Sequence, residues 1–551
     1  MNRDKMKLND FFHIHPVELN SMESELYSCK RCKFVHFLRS IRFQICLLLF
    51  GCMFCLMFAN LTMSVAILSM VNTTLSACVF IAHNSTSSGC DRADHIAGIG
   101  DYVHSEGSVN WSPETQGLVL SAISWGRLLS PLVSSIVARS DVSLWLPASL
   151  IVSALASSLI PVSVSAGYVM IVLLRFLLGV ADAVAQPAIN HLLANHFSSK
   201  TRNNAYGWTS AGRQFGVLAV YPIASIVSDY SGTKEGWPFV FYISSAICVV
   251  WVLLWVFFLL MHRRNLNRKR ESISSVSSLS SIKSMISRMD ENTQRICWKK
   301  VLQSSRFWCN MMAILCHEIP LNTAMMFLPM YMRDALHFCL KTNGVLSTLP
   351  IISFMVTKIL ATQLDHAIKS ACKPDATKTA KWFNLVASLG MGSFLLGVSV
   401  LNCRNRGLAV ILLCCGVGFA GFHTPGCIGT LLSLAPAHSS AISSMAYVLI
   451  SCTSMLIPLV VKAIVVQSSS REWQTVWQIC AGIALLPITF FSLHGTADEQ
   501  AWSKPIRDQV EKESPFPSSP STSSSSNSLS SKMTASSSHC HQLPMMTVEK
   551  L

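Results

Sequence analysis

Runs of about twenty apolar residues recur along this chain, and nothing else in the sequence limits its fold so strongly. At 1.5 Å of rise per residue, twenty helical residues cross a hydrocarbon core of about 30 Å. A soluble core has no use for so many runs of that length. Lipid admits only helices and closed barrels, because each backbone polar group must find its partner inside the protein. Composition agrees: 51% of the 551 residues are apolar and 13% are charged, against about 25% charged in an ordinary globular protein. The runs predict twelve helical spans near 44–70, 116–138, 143–164, 168–193, 206–228, 237–261, 308–331, 343–363, 382–401, 406–433, 440–466 and 474–494. Ser, Gly and Pro interrupt the third, fourth and ninth, whose limits are the least distinct.

The expected fold is an all-α polytopic membrane protein. A polar segment, 262–307, opens with HRRNLNRKR and separates a six-helix half at 44–261 from a second at 308–494, the pattern of a repeat. An N-terminal segment, 1–43, precedes the first span, and 495–551 is a Ser- and Pro-rich tail with too little apolar surface to offset the entropy of ordering. The formal charge of +15 does not mark a nucleic-acid partner, because the basic residues sit mainly in alternate loops. Arg3, Lys5, Lys7, Lys30, Arg31, Lys33, Arg39 and Arg42 precede the first span, whereas the loop after it sets Arg92 against Asp91, Asp94, Asp101, Glu106 and Glu114. The excess of Lys and Arg places both termini in the cytoplasm. No cleavable signal peptide is expected, since about 40 polar residues precede the first apolar run.

Loop 71–115 carries three sequons, at Asn72, Asn84 and Asn110, on the side where glycosylation occurs. Asn84 is the best placed, since the other two lie close to span ends. Most of the 20 cysteines fall inside apolar runs and behave as small hydrophobes. Cys78 and Cys90 share that outer loop, where oxidation and the free thiol state are equally compatible with the sequence. The lone Cys29/Cys32 pair lacks the second ligand pair of a zinc site.

A charged side chain at the centre of a span costs roughly 2.5–3.5 kcal/mol of insertion free energy, so those retained face a cavity and have partners. Here they are Arg127, Arg175, Asp182, Arg213 and the pair His317 and Glu318. Arg175 and Asp182 are seven residues apart and project from nearly one helix face. An Arg fork matches carboxylate or phosphate oxygens two at a time, and a buried carboxylate suits proton carriage. The set therefore fits an anion moved with protons, with Asp182, Glu318 and His317 as the coupling groups. The same residues also fit a structural role, in which Arg175 and Asp182 neutralise one another or brace neighbouring helices. Arg213, near a cytoplasmic span end, suits either a gate or snorkelling, and Lys358 and Lys462 are read as snorkelling. His423 lies within GVGFAGFHTPG (416–426), whose glycines allow close helix packing.

The chain has no P-loop, no H-E-x-x-H and no G-x-S-x-G, which argues against an enzyme or an ATP-driven pump and against any cofactor or metal. Several stretches appear together in order: WSPETQGLVLSAISWG (111–126), RFLLGVADAVAQPA (175–188), GWPFVFY (236–242), residues 314–350, GVGFAGFHTPG, SLAPAHSSA (433–441) and REWQTVWQI (471–479). Over about 42–503 the chain resembles the major facilitator superfamily. Within it, the resemblance is to the anion transporter family that includes sialin, the vesicular glutamate transporters and the type I sodium/phosphate transporters. The family's fourth-span pattern is met by Arg175, Gly179 and Pro187, with Asp182 in place of Glu. Where the family often carries a first-span Arg, NLTMSVAI (60–67) has Asn60, while Arg127 and Arg213 add charge elsewhere. The cytoplasmic loop motif is reduced to Arg139 and Asp141, and its counterpart keeps Asp365; both are gating candidates.

The resemblance implies a twelve-helix major facilitator fold and alternating access around a central site. Its implied substrate is a small anion, organic or phosphate, bound by Arg175, Arg127, Asn60 and His423 and coupled to H+ or Na+. A monomer in the plasma membrane or a lysosomal or vesicular membrane is expected. A non-transporting sensor or scaffold and an anion channel remain as alternatives.

Overall fold

The computed structural model describes residues 40–71, 73–74, 104–105, 109–138, 142–197, 199–230, 236–272, 298–372, 375–435 and 438–503. Asn72, Asn84, Cys78, Cys90 and Arg139 lie outside them. The described chain is almost wholly helical. Its β structure is an antiparallel pair, Thr73–Thr74 with His104–Ser105, beside a bridge between Val71 and Val109. Asn110 is exposed just beyond that bridge, three residues before the next helix.

The first group of helices comprises α1 (Ile41–Met70), α2 (Pro113–Arg127), α3 (Ser130–Ala138), α4 (Val142–Ser163), α5 (Tyr168–His196), α6 (Ser199–Tyr230) and α7 (Trp237–Ser272). The second comprises α8 (Trp298–Leu302), α9 (Ser305–Asp334), α10 (Leu340–Leu346), α11 (Thr348–Cys372), α12 (Ala376–Ser399), α13 (Arg406–Phe419), α14 (Gly429–Leu434), α15 (Ser439–Ile464), α16 (Ser470–Leu485) and α17 (Pro487–His494). Ten described segments are long and apolar enough to cross a membrane. The other two expected spans are helical but fall short of that standard. Span 116–138 is interrupted at Leu128 and Leu129, directly after Arg127, and α6 carries Arg213, Gln214 and a polar first turn. Both carry a central arginine, Arg127 and Arg213, that reaches Asp182 of α5.

The third, fourth and ninth spans, whose limits were the least distinct in the sequence, are regular. Each is one continuous helix, with Pro147, Pro161 and Pro187 accommodated inside α4 and α5. The tenth span changes its helical pitch: α13 tightens into a 3-10 turn at Ala420–Phe422 and then widens into a π turn at Thr424–Ile428. Local sequence sets the helix starts. Ser112 caps α2 by accepting from the Thr115 amide with Pro113 in the first turn, and Ser469 with Glu472 forms a capping box on α16.

Close backbone approach holds the first group together. A Cβ at Gly179 of α5 would overlap the Ile123 carbonyl of α2, and one at Gly212 of α6 would overlap the Phe50 carbonyl of α1. The two groups meet at the end of the bundle that carries Met70, Gln116 and Asp334. There Arg333 Nη1 donates to the Leu68 carbonyl at 3.0 Å, Gly117 packs on the Pro458 carbonyl, Gly344 packs on Ser225, and the Tyr221 hydroxyl donates to the Met325 carbonyl. Lys462 lies in the same zone with 4% of its surface exposed, so it is a buried cation and not a snorkelling one. Lys358 also turns inward, with its ammonium 5.7 Å from the Phe354 ring centre.

Candidate functional site

Beneath that seal the helices leave a central cavity of about 50 Å³, lined by α1, α2, α5, α9 and α15. It holds a few water molecules or the oxygens of a small anion. Its polar lining comes from Asn60, Ser124, Arg127, Arg175, Asn322 and Ser454, so both groups of helices contribute.

The Gly126 and Gly179 contact draws α2 onto α5, which brings Arg127 to Asp182 and the Val119 carbonyl to Arg175. Asp182 is fully buried and its carboxylate is held on all sides. Arg127 Nε donates to Oδ2 at 2.7 Å, Arg213 Nη2 to Oδ1 at 2.6 Å, Arg213 Nη1 to Oδ2 at 3.4 Å, and Asn60 Nδ2 to Oδ2 at 3.3 Å. Arg213 Nη2 also donates to Gln186 Oε1 at 3.3 Å. Arg213 therefore belongs to the central cluster and does not snorkel to a membrane surface.

Arg175 is only 1% exposed, yet among the described residues its one protein bond is from Nε to the Val119 carbonyl at 2.7 Å, and its buried Nη1 has no partner. Arg175 and Asp182 are thus not paired with one another; each addresses α2. Two guanidinium groups clamp one carboxylate and Arg175 adds a third positive charge nearby, which leaves the region positive. Two further polar atoms are buried there without partners: Asn60 Oδ1, and the hydroxyl of Tyr447 from α15, which lies within electrostatic reach of Asp182 and Arg213. A guanidinium N–H or a phenol hydroxyl left dry costs about 1–3 kcal/mol or more, so such groups mark a place for a ligand.

A second polar cluster occupies the other group of helices. His317 and His423 stack with centroids 5.7 Å apart. His317 places Nδ1 2.8 Å from the Ala313 carbonyl and Nε2 2.9 Å from Ser388 Oγ. His423 Nε2 lies 3.5 Å from Glu318 Oε1, and Asn322 Nδ2 donates to Glu318 Oε2 at 3.2 Å. The glycines of 416–426 do pack closely, with Gly418 against Ser353 and Gly421 against the backbone at Lys358, which seats His423 inward. Asp365 forms an exposed pair with Lys369 of its own helix at 2.7 Å and shows no bond to the first group among the described residues.

Sequence reasoning passed over Tyr447, Gln186 and Asn322. Asn322 was within reach, since it follows Glu318 by one helical turn. Nothing in the sequence singles out Tyr447 from other tyrosines.

Comparison with known proteins follows the same lines. The model described as Major Facilitator Superfamily matches residues 49–452. A Drosophila ananassae relative named for inorganic phosphate cotransport is 26% identical over 413 residues, covering 73% of this chain and 83% of the relative. Human sialin is 25% identical over 466 residues, covering 84% and 91%. The inward-facing, unoccupied structure of a bacterial homolog of the human lysosomal transporter Spinster superposes with a TM-score of 0.56 at 12% identity, covering 82% of this chain and 98% of that one.

Proposed function

The chain belongs to the major facilitator superfamily, a family of membrane transporters and not of enzymes, and from that premise we propose that it carries a small organic anion or phosphate by alternating access with cation coupling. The observation that supports this most directly is the unpartnered, buried Nη1 of Arg175 at a central cavity whose nearby charge is positive. An anion oxygen would satisfy that N–H, and the guanidinium plane would accept it with little reorganisation. Arg127 and Asn60 line the same cavity, and Tyr447 lies within electrostatic reach of Arg127. Arg127 stands in for the first-span positive charge that Asn60 lacks. Asp182, in turn, fixes the direction of Arg127 and Arg213.

With both termini in the cytoplasm, the sealed end at Arg333 and Leu68 is the outer face, and the cavity communicates with the cytoplasm through Arg127 and Arg213, which are 19% and 21% exposed. Relatives named for phosphate and for sialic acid handling agree with an anionic substrate. The carrier works as a monomer of two six-helix halves, in the plasma membrane or a lysosomal or vesicular membrane.

The test is uptake of labelled phosphate, urate, glutamate, sialic acid and aromatic anions into proteoliposomes, with pH and sodium gradients imposed separately. Saturable uptake that follows one gradient and falls to background in Arg175→Ala is expected. Currents too large for a carrier would mean a channel. A folded protein that moves none of the panel would instead mean a sensor or scaffold.

A further inference from the structure

Hydrogen positions in the two polar clusters follow from the chemistry of their partners. A carbonyl oxygen only accepts, so a ring nitrogen facing one carries the hydrogen. In His317 that nitrogen is Nδ1, opposite the Ala313 carbonyl, and Nε2 then accepts from the Ser388 hydroxyl. Neutral His317 is fully satisfied and has no place for another proton.

His423 is different. Its Nδ1 faces the Ala420 carbonyl and carries the hydrogen, so the neutral ring aims a lone pair from Nε2 at Glu318 Oε1, 3.5 Å away, which is also an acceptor. Among the described residues nothing else bonds to Nε2, and the ring is 2% exposed. Two acceptors facing each other in a dry site repel, and one proton between them turns the repulsion into a charge-assisted hydrogen bond. Asp182 offers no such place. Both of its oxygens already accept from guanidinium groups, and a proton there would have to displace one.

Building on the carrier function above, we propose that the coupling proton is held between His423 Nε2 and Glu318 Oε1, and that Asp182 keeps a permanent charge as the anchor of Arg127 and Arg213. Two charged or titratable groups besides His423 act on Glu318 among the described residues: Lys358 of α11 and His317 of its own helix. From α12, Ser388 meets the cluster through His317 as an uncharged hydroxyl. Asn322 links the proton to the substrate. It donates to Glu318 Oε2 and lines the cavity with Arg175 and Arg127, so a change of charge on Glu318 is felt one side chain away from the anion. His423 also sits where the 3-10 turn passes into the π turn, a kind of helix break common at functional sites.

The test uses the full chain, labelled with 15N-histidine and reconstituted in liposomes. Solid-state NMR at pH 5.5 and pH 8 reports hydrogen occupancy of each ring nitrogen, with His423→Gln assigning the signal. The expected result is that His423 Nε2 gains a hydrogen at the lower pH, that Glu318→Gln moves this switch by about one pH unit or more, and that His317 stays in one neutral tautomer. An unchanged neutral His423 at both pH values would overturn the proposal. In the same liposomes Glu318→Gln should lose pH-driven accumulation of labelled phosphate, sialic acid or glutamate about tenfold more than it loses gradient-free counterflow of the same anion. Accumulation at the wild-type level in Glu318→Gln would equally overturn it. Should the wild-type protein show no counterflow of any of the three, transport of these anions fails, while the NMR result still decides where the proton sits.

Discussion

Asp182 and Glu318, two carboxylates inside the bundle, sit in opposite kinds of surroundings. Asp182 is completely covered and clamped by two guanidinium groups and an amide, whereas Glu318 keeps one amide donor and an imidazole at the limit of hydrogen-bond range. Both are acids inside spans, and both occupy one helix face with a second polar group. What separates them is the number of donors the neighbouring helices supply. A carboxylate saturated by cations is a fixed part of the architecture, while one facing another acceptor is able to change its proton. The proposed function and the proposed proton site divide the work accordingly, with a rigid positive cluster for the anion and a looser cluster for the proton.

The largest effect that would break this contrast lies in the packing that builds the first cluster. Gly179→Leu drives a side chain into the Ile123 carbonyl, and no monodisperse folded protein is expected by size-exclusion chromatography, whereas Gly207→Ala, whose Cβ meets nothing within 4 Å, should behave as wild type. Next is Asp182→Asn. Removing one partner of a buried ion cluster typically costs about 3–5 kcal/mol, so the melting temperature should fall by several degrees or more. Adding Arg213→Gln to Asp182→Asn should recover part of that loss; a strictly additive double variant would mean that Asp182 is not the anchor of Arg213.

Arg175→Ala should leave a folded protein whose anion uptake falls to background, with Arg175→Lys restoring part of it, because the charge returns without the planar fork. Tyr447→Phe removes a hydroxyl that has no protein partner, so the melting temperature should hold within about a degree while apparent affinity weakens several-fold. Unchanged affinity would take Tyr447 out of the site. Asp365→Asn should have the smallest effect, within about 0.5 kcal/mol, as an exposed i,i+4 pair on one helix.

Much of the fold was legible because lipid punishes every unsatisfied polar group, which leaves long apolar runs as a plain record of the helices. The irregularities were harder to place. Ser, Gly and Pro blurred the limits of the third, fourth and ninth spans, each of which is one continuous helix, whereas interruptions follow Arg127 and occupy the glycine-rich stretch before Gly429. Lys462 illustrates the same limit. A lysine near a span end ordinarily snorkels, but here the seal between the two groups covers it.

The sequence by itself determined the class of fold, the alternation of charge across the membrane, and the short roster of charged residues retained inside spans, because each carries an insertion cost that composition records. Pairing was decided only by the tertiary structure. Whether Asp182 would answer Arg175 or Arg127 and Arg213 depends on how closely α2, α5 and α6 approach, which glycine contacts fix to within an ångström. Hydrogen bonds fade over that same distance, so a helical spacing can put two side chains on one face but cannot say which of them is left with a free hand for a ligand.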